Sequence, residues 1–241
     1  MTPLHSNSPT HMTKTIHIKT ETLKFPAAQT TVSALLMKPK DAFCLLLFAH
    51  GAGADMRHHF MEDMSQELAS LGVATLRYQF PYTEKGLKRP DPRPILLATV
   101  RSAVALANDV SDGLPLLAGG KSMGGRMTSL AASEEPLPDV QGIVFFGFPL
   151  HPAGQPSTER AEHLAKVKVP MLFLQGTRDT LADLSLLKPI CKELGKRATL
   201  HLIDQADHSF HVPKRSGKND ADVLVELTKT VAEWSTRLVA Q

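Results

Sequence analysis

Cys44-Leu-Leu-Leu-Phe-Ala49 is apolar at six successive positions. The side chains of an extended strand alternate between two faces, so such a run cannot lie against water on either side. It belongs in a sheet covered on both faces, as parallel sheets wrapped by helices are. Four similar short runs follow at Val73–Leu76, Leu114–Ala118, Ile143–Phe146 and Met171–Leu174, and Ala198–Ile203 closes the series. Ahead of them, Thr15–Thr20 (Ile16 and Ile18 on one face) and Val32–Met37 read as an antiparallel pair at the sheet edge.

Helical patterns separate the runs. Phe60–Leu71 stops before Gly72, and Ile95–Val110 carries a broad apolar face behind Pro94. Residues 180–194 place Leu181, Leu184, Leu187, Ile190 and Leu194 at helical spacing, with Pro189 expected to break or kink the segment. Asp220–Val239 repeats the pattern with Val223, Leu227, Val231 and Trp234. The alternation predicts an α/β fold: a mostly parallel eight-stranded sheet with helices on both faces. Only 22 residues separate Phe146 from Val169, too few for a helical lid, so the site is expected to be open. Residues 1–14 read as a tail, with Met12 as an alternative start, and residues 15–241 as one domain.

Composition excludes several functions. Net charge is +3 over 241 residues, too weak to argue for nucleic acid. No apolar run reaches the ~20 residues that span a bilayer. Cys44 and Cys191 lie 147 positions apart in apolar contexts, which fits no disulfide framework and points to a reducing, cytoplasmic setting. The expected partner is a small-molecule substrate, with no nucleic acid, no membrane and no cofactor.

The sharpest chemical signal is Gly120-Lys121-Ser122-Met123-Gly124, set between a strand and a small-residue helical stretch, Gly125–Ala132. A serine on such a turn has its hydroxyl lifted clear of the backbone, and the flanking glycines let strand and helix approach closely. The pattern arises by chance about 0.1 times in a chain of this length, and in isolation a glycine-rich turn with an incidental serine stands as the other reading. Two further residues carry the argument. A serine hydroxyl needs a base, and the base needs an orienting carboxylate. Asp179 follows the run Met171–Leu174, and His208 follows the last strand, giving the order Ser, Asp, His with spacings of 57 and 29. All three fall at carboxyl ends of strands, the edge where open α/β sheets place their sites. An oxyanion formed there would need two N–H donors: Met123, next to the serine, and Ala52 in the small-residue loop His50-Gly51-Ala52-Gly53.

These residues resemble the α/β-hydrolase superfamily over roughly residues 30–241. Within it, Ala49-His-Gly-Ala-Gly-Ala54, Arg77-Tyr-Gln-Phe-Pro-Tyr82, Gly119-Gly-Lys-Ser-Met-Gly-Gly-Arg126, Gly147-Phe-Pro-Leu-His151 and Asp207-His-Ser-Phe210 look like a small lidless family. That family includes bacterial predicted hydrolases, a testis-expressed protein and a regulatory subunit of a histone-acetyltransferase complex. Dienelactone hydrolases are more distant and use cysteine where this chain has serine. The resemblance implies Ser122 as nucleophile, Asp179 as acid and His208 as base, in a carboxylesterase-like hydrolase. The regulatory relative keeps open a binding or scaffold role without catalysis.

Other residues have two readings each. His50, Gly51, Tyr82 and His151 are candidates to line a substrate, although His50 also fits a loop-orienting role and His151 a loop cap. Lys85, Lys88, Arg89 and Arg93 make either a basic rim or a solvated loop. Lys121 is a partly buried stem or a site-facing charge, and Arg126 reads as structural. His58 and His59 lack further ligands at metal spacing, so no metal site is expected. Asp207 adjoins His208 and reads as a turn former.

Overall fold

The computed structural model describes residues 18–240. The expected tail, and Thr15–His17 of the first expected strand, lie outside them. That strand runs later than expected, as β1 (Thr20–Ala27), with Ile18 and Lys19 ahead of it. It pairs antiparallel with β2 (Thr30–Met37), whose buried Val32, Ala34 and Leu36 give the pair a core face.

The rest follows the alternation: β3 (Cys44–Ala49), α1 (His59–Ser70), β4 (Val73–Tyr78), the short α2 (Pro81–Glu84), α3 (Arg93–Val110), β5 (Leu116–Lys121), α4 (Met123–Glu134), β6 (Val140–Phe146), β7 (Met171–Gly176), α5 (Leu184–Leu194), β8 (Ala198–Ile203) and α6 (Asp220–Val239). The sheet order is β1-β2-β4-β3-β5-β6-β7-β8, parallel from β4 onward. The connection between β6 and β7 holds only a 3-10 helix, Glu159–Lys166, so among the described residues no lid domain covers the site.

The two-residue period of β3 sorts its side chains onto both faces. Leu45, Leu47 and Ala49 join the core under α3, α4 and α5, beside Val100, Met127 and Leu187. Cys44, Leu46 and Phe48 join the core under α1 and α6, beside Met64, Leu68, Leu227 and Trp234. Both cysteines are free and buried, and burial pushes the Cys44 thiol up to about 12. Among the described residues no helix is long and apolar enough to cross a membrane.

Pro189 does not break its helix. α5 runs through it from the Asp183 cap to Leu194. The proline forfeits one backbone hydrogen bond, while Leu187, Cys191 and Leu194 bury one face against the sheet, and that packing outweighs the loss.

The site's position follows from the strand order. The chain passes from β3 outward to β4, returns to β5 on the other side of β3, and continues away through β8. Loops leaving β3 and β5 therefore diverge at their carboxyl ends and open a crevice between them.

Candidate active site

Ser122 directly follows β5 and caps α4 with φ +49°, ψ −112°, a conformation rarely open to a residue bearing Cβ. Such strain costs about 1–3 kcal/mol and persists only where the surroundings impose it. Here the Ser122 N–H donates to Phe146 O at 3.1 Å, and Arg126 N donates to Ser122 O at 3.2 Å, fixing strand and helix on either side. The tight geometry depends on glycine. A Cβ on Gly120 would sit 2.4 Å from Ala49 O, and one on Gly124 2.5 Å from the same atom.

Three distant side chains meet at this turn. Ser122 Oγ is 2.8 Å from His208 Nε2, and His208 Nδ1 is 2.7 Å from Asp179 Oδ2. The Asp179 side chain is buried, and it also accepts from Gln175 Nε2 at 2.5 Å and from Leu181 N at 2.8 Å. Gln175 is fully buried on β7, and its Oε1 accepts from Phe148 N at 2.9 Å. It was missed in the sequence because a glutamine inside an apolar strand gives no motif; its only signal is its polarity in that setting. Asp207 takes the turn-forming part, accepting from Ser209 N at 2.8 Å and His211 N at 3.0 Å.

A cavity of about 440 Å³ opens on Ser122 and His208. Its walls include Gly51, Ala52, His58, Phe60, Lys121 and Leu181. Ala52 is exposed on the wall, and a Cβ on Gly51 would lie 3.7 Å from Ser122 Cβ, so this loop stands directly beside the serine. Met123 is the first residue of α4, and its N–H has no acceptor within the helix.

The other substrate-lining candidates divide. Gly51 lies on the wall, whereas His50 and Tyr82 are fully buried. His50 Nδ1 donates to Gly51 O at 2.9 Å, and Nε2 accepts from Phe80 N at 3.4 Å. Burial lowers this imidazole to about 4, so it stays neutral and shapes the loop from beneath. Tyr82 packs edge-on to it at 6.0 Å. His151 is also turned inward: Nδ1 donates to Pro152 O at 2.8 Å, and Nε2 accepts from Asp183 N at 2.9 Å, tying its loop to the start of α5. Lys85, Lys88 and Arg89 are exposed, and none of them lines the cavity. No motif in the sequence marks the wall contributed by His58, Phe60 and Leu181. His58 caps α1, with its Nδ1 accepting from Phe60 N at 3.3 Å, and its ring lies 4.2 Å from that of His59.

Lys121 is a half-buried stem whose tip reaches the site. Its Nζ donates to His208 O at 2.5 Å and lies 5.2 Å and 5.8 Å from the Phe210 and Phe60 ring centres. Burial lowers its proton affinity to about 8, against the opposing pull of Asp179 and Asp207. A folded-state value below the unfolded one means that the native state pays for the buried charge at neutral pH and is relieved as pH rises. Stability of the wild type relative to Lys121→Met should therefore climb by about 1–2 kcal/mol between about pH 8 and about pH 9.5. Paired denaturant titrations across that window check this; parallel curves would contradict it.

Residues 42–236 match the family described as alpha/beta hydrolase domain. Among solved structures, a dienelactone hydrolase from Anabaena variabilis is similar with a TM-score of 0.72 and 22% identity, over 92% of this chain and 98% of that one. The esterase domain of a Rhodothermus marinus protein aligns with a TM-score of 0.70 and 18% identity, over 92% and 100%. An α/β serine hydrolase without a lid from Xanthomonas campestris aligns with a TM-score of 0.68 and 18% identity, over 90% and 95%. At these identities the likeness is one of fold.

Proposed function

The chain belongs to the alpha/beta hydrolase domain family, and from that premise we propose that it is a serine hydrolase cleaving a small carboxylic ester through an acyl-enzyme. One observation carries the reading: the unbroken chain from Ser122 Oγ through the His208 ring to Asp179, with links of 2.8 Å and 2.7 Å.

In this reading His208 Nε2 takes the hydroxyl proton as Ser122 Oγ attacks the ester carbonyl. Asp179 holds the proton on Nδ1 and stabilises the imidazolium that forms. The N–H groups of Met123 and Ala52 receive the oxyanion. As the intermediate collapses, His208 returns the proton to the departing alkoxide. Water, deprotonated by the same ring, then cleaves the acyl-enzyme and releases the acid and Ser122. A cavity of about 440 Å³ walled by Ala52, Phe60, Met61 and Leu181 supports a compact apolar acyl or alcohol group. No step calls for a cofactor.

A fluorophosphonate probe tests this directly. The folded protein should gain one adduct, located at Ser122 by peptide mass spectrometry, and Ser122→Ala should gain none there. A folded wild type unlabelled at Ser122 would refute the reading and leave a binding role on the hydrolase fold.

A further inference from the structure

A second cavity, of about 430 Å³, shares no wall residue with the one at Ser122. It lies where the start of α3, the outer side of α4 and the 3-10 helix Glu159–Lys166 converge. Arg93, Arg126, Arg160 and Lys166 bring four cations to it, and Glu159 and Glu162 bring two carboxylates. Mixed charges at such a place normally pair. Among the described residues, however, none of these four cations forms an ion pair within 4.0 Å with either glutamate or any other carboxylate.

Arg126 is the most telling of them. Its Nε is buried without a hydrogen-bond partner. That atom is sealed from the cavity, so a ligand would meet Arg126 at its terminal nitrogens. Burial, then the neighbouring charges of Arg160 and Arg93, lower the proton affinity of Arg126, so both guanidinium groups act on it across the cavity. His163 lines the same cavity, and its Nε2 sits 2.7 Å from the buried Ser129 Oγ. Burial, followed by the Arg126 charge, lowers that imidazole to about 4, so it adds no further positive charge at neutral pH.

Several forked donors lining one hollow, with an excess of positive charge and no carboxylate partner, suit a multivalent oxyanion. Guanidinium groups match the oxygens of phosphate in spacing and plane, and a tetrahedral dianion presents acceptors to several forks at once. The cavity is larger than a bare ion needs and falls within the range of small-ligand sites. We infer that this cavity binds the phosphate group of a small phosphomonoester, held by Arg126 with Arg93 and Arg160. The inference is independent of the chemistry at Ser122.

Calorimetric titration of the full chain with inorganic phosphate and with glycerol 2-phosphate, at constant ionic strength set by sodium chloride, tests it. Saturable one-to-one binding is expected for both, at least tenfold tighter for the ester, since the cavity has room for its organic part. Arg126→Gln and Arg160→Gln should each weaken binding at least tenfold. Should Arg126→Gln fold poorly, Arg93→Gln replaces an exposed side chain at the start of α3 and should weaken binding about fivefold or more with the fold intact. Absence of saturable heat with either probe would overturn the proposal. So would unchanged affinity in Arg160→Gln and Arg93→Gln, which would place the anion elsewhere. Phosphate binding as tightly as the ester would overturn the assignment to a phosphomonoester.

Discussion

Ser122→Ala will lower the turnover of p-nitrophenyl acetate by about four to six orders of magnitude, and Asp179→Asn by about three to four, with both variants folded. The serine loss is the larger because it removes the atom that forms the acyl bond. The asparagine effect is one of hydrogen-bond bookkeeping. Asp179 faces three donors: His208 Nδ1 and Gln175 Nε2 on one oxygen and Leu181 N on the other. A carboxylate accepts from all three, while an asparagine has a single oxygen. If its amide nitrogen faces Leu181, two N–H groups oppose each other in a buried site. If it faces His208, the ring is driven to the tautomer with its proton on Nε2, and that nitrogen no longer accepts from Ser122 Oγ, 2.8 Å away. The second arrangement removes the base; the first keeps the tautomer, but it leaves two buried donors opposed and offers the imidazolium no negative charge. Stopped-flow ester hydrolysis on the purified variants gives the ratios. Asp179→Asn within tenfold of wild type would mean that the carboxylate does not set the tautomer. Because the residues act as a unit, Ser122→Ala combined with Asp179→Asn should be no slower than Ser122→Ala alone.

The sequence made the strands and the order Ser122, Asp179, His208 readable because each is a local pattern. A fully apolar run of six such as Cys44–Ala49 admits few placements, and its bounds match β3. A residue just past a strand end has its position set by the sheet, so Asp179 and His208 could be placed without knowing a single contact. Features that depend on side-chain direction were not legible. Tyr82 and His151 lie in the loops expected to border the site, yet both turn inward, Tyr82 against His50 and His151 toward Asp183. Nothing in a loop's composition states which way its rings face. The same holds for β1, where the alternation around Ile16 and Ile18 drew the strand several residues early. Its pairing is set by β2, with Phe25 opposite Val32 and Ala27 opposite Thr30, and that register is a tertiary property. Gln175 and the convergence of Arg93, Arg126 and Arg160 are likewise assembled from separate elements.

Gly119→Ala will be the most damaging single methyl in the chain, although Gly119 stands outside the five-residue turn motif. It pairs with Val144 across β5 and β6, and a Cβ there would lie 2.0 Å from Val144 O and 2.9 Å from both Val144 C and Val144 N. Every one of those atoms is backbone in a central parallel strand, so no rotamer change relieves the overlap. The strands must separate, and with them the ladder that holds Ser122 N to Phe146 O. The expected cost exceeds the usual overpacking penalty and is at least about 3 kcal/mol, a drop in Tm of roughly 6–12 °C. Gly113→Ala supplies the contrast. Its φ of +83° is unfavourable for alanine, but nothing lies within 4 Å of the added carbon, so its cost should stay near 1 kcal/mol. Thermal melts of the two variants separate crowding from conformational strain. Equal losses would show that the β5–β6 approach is not what glycine is there to permit, whereas a large gap, with Ser122 labelling lost only in Gly119→Ala, ties the reactivity of the serine to the closeness of its two strands.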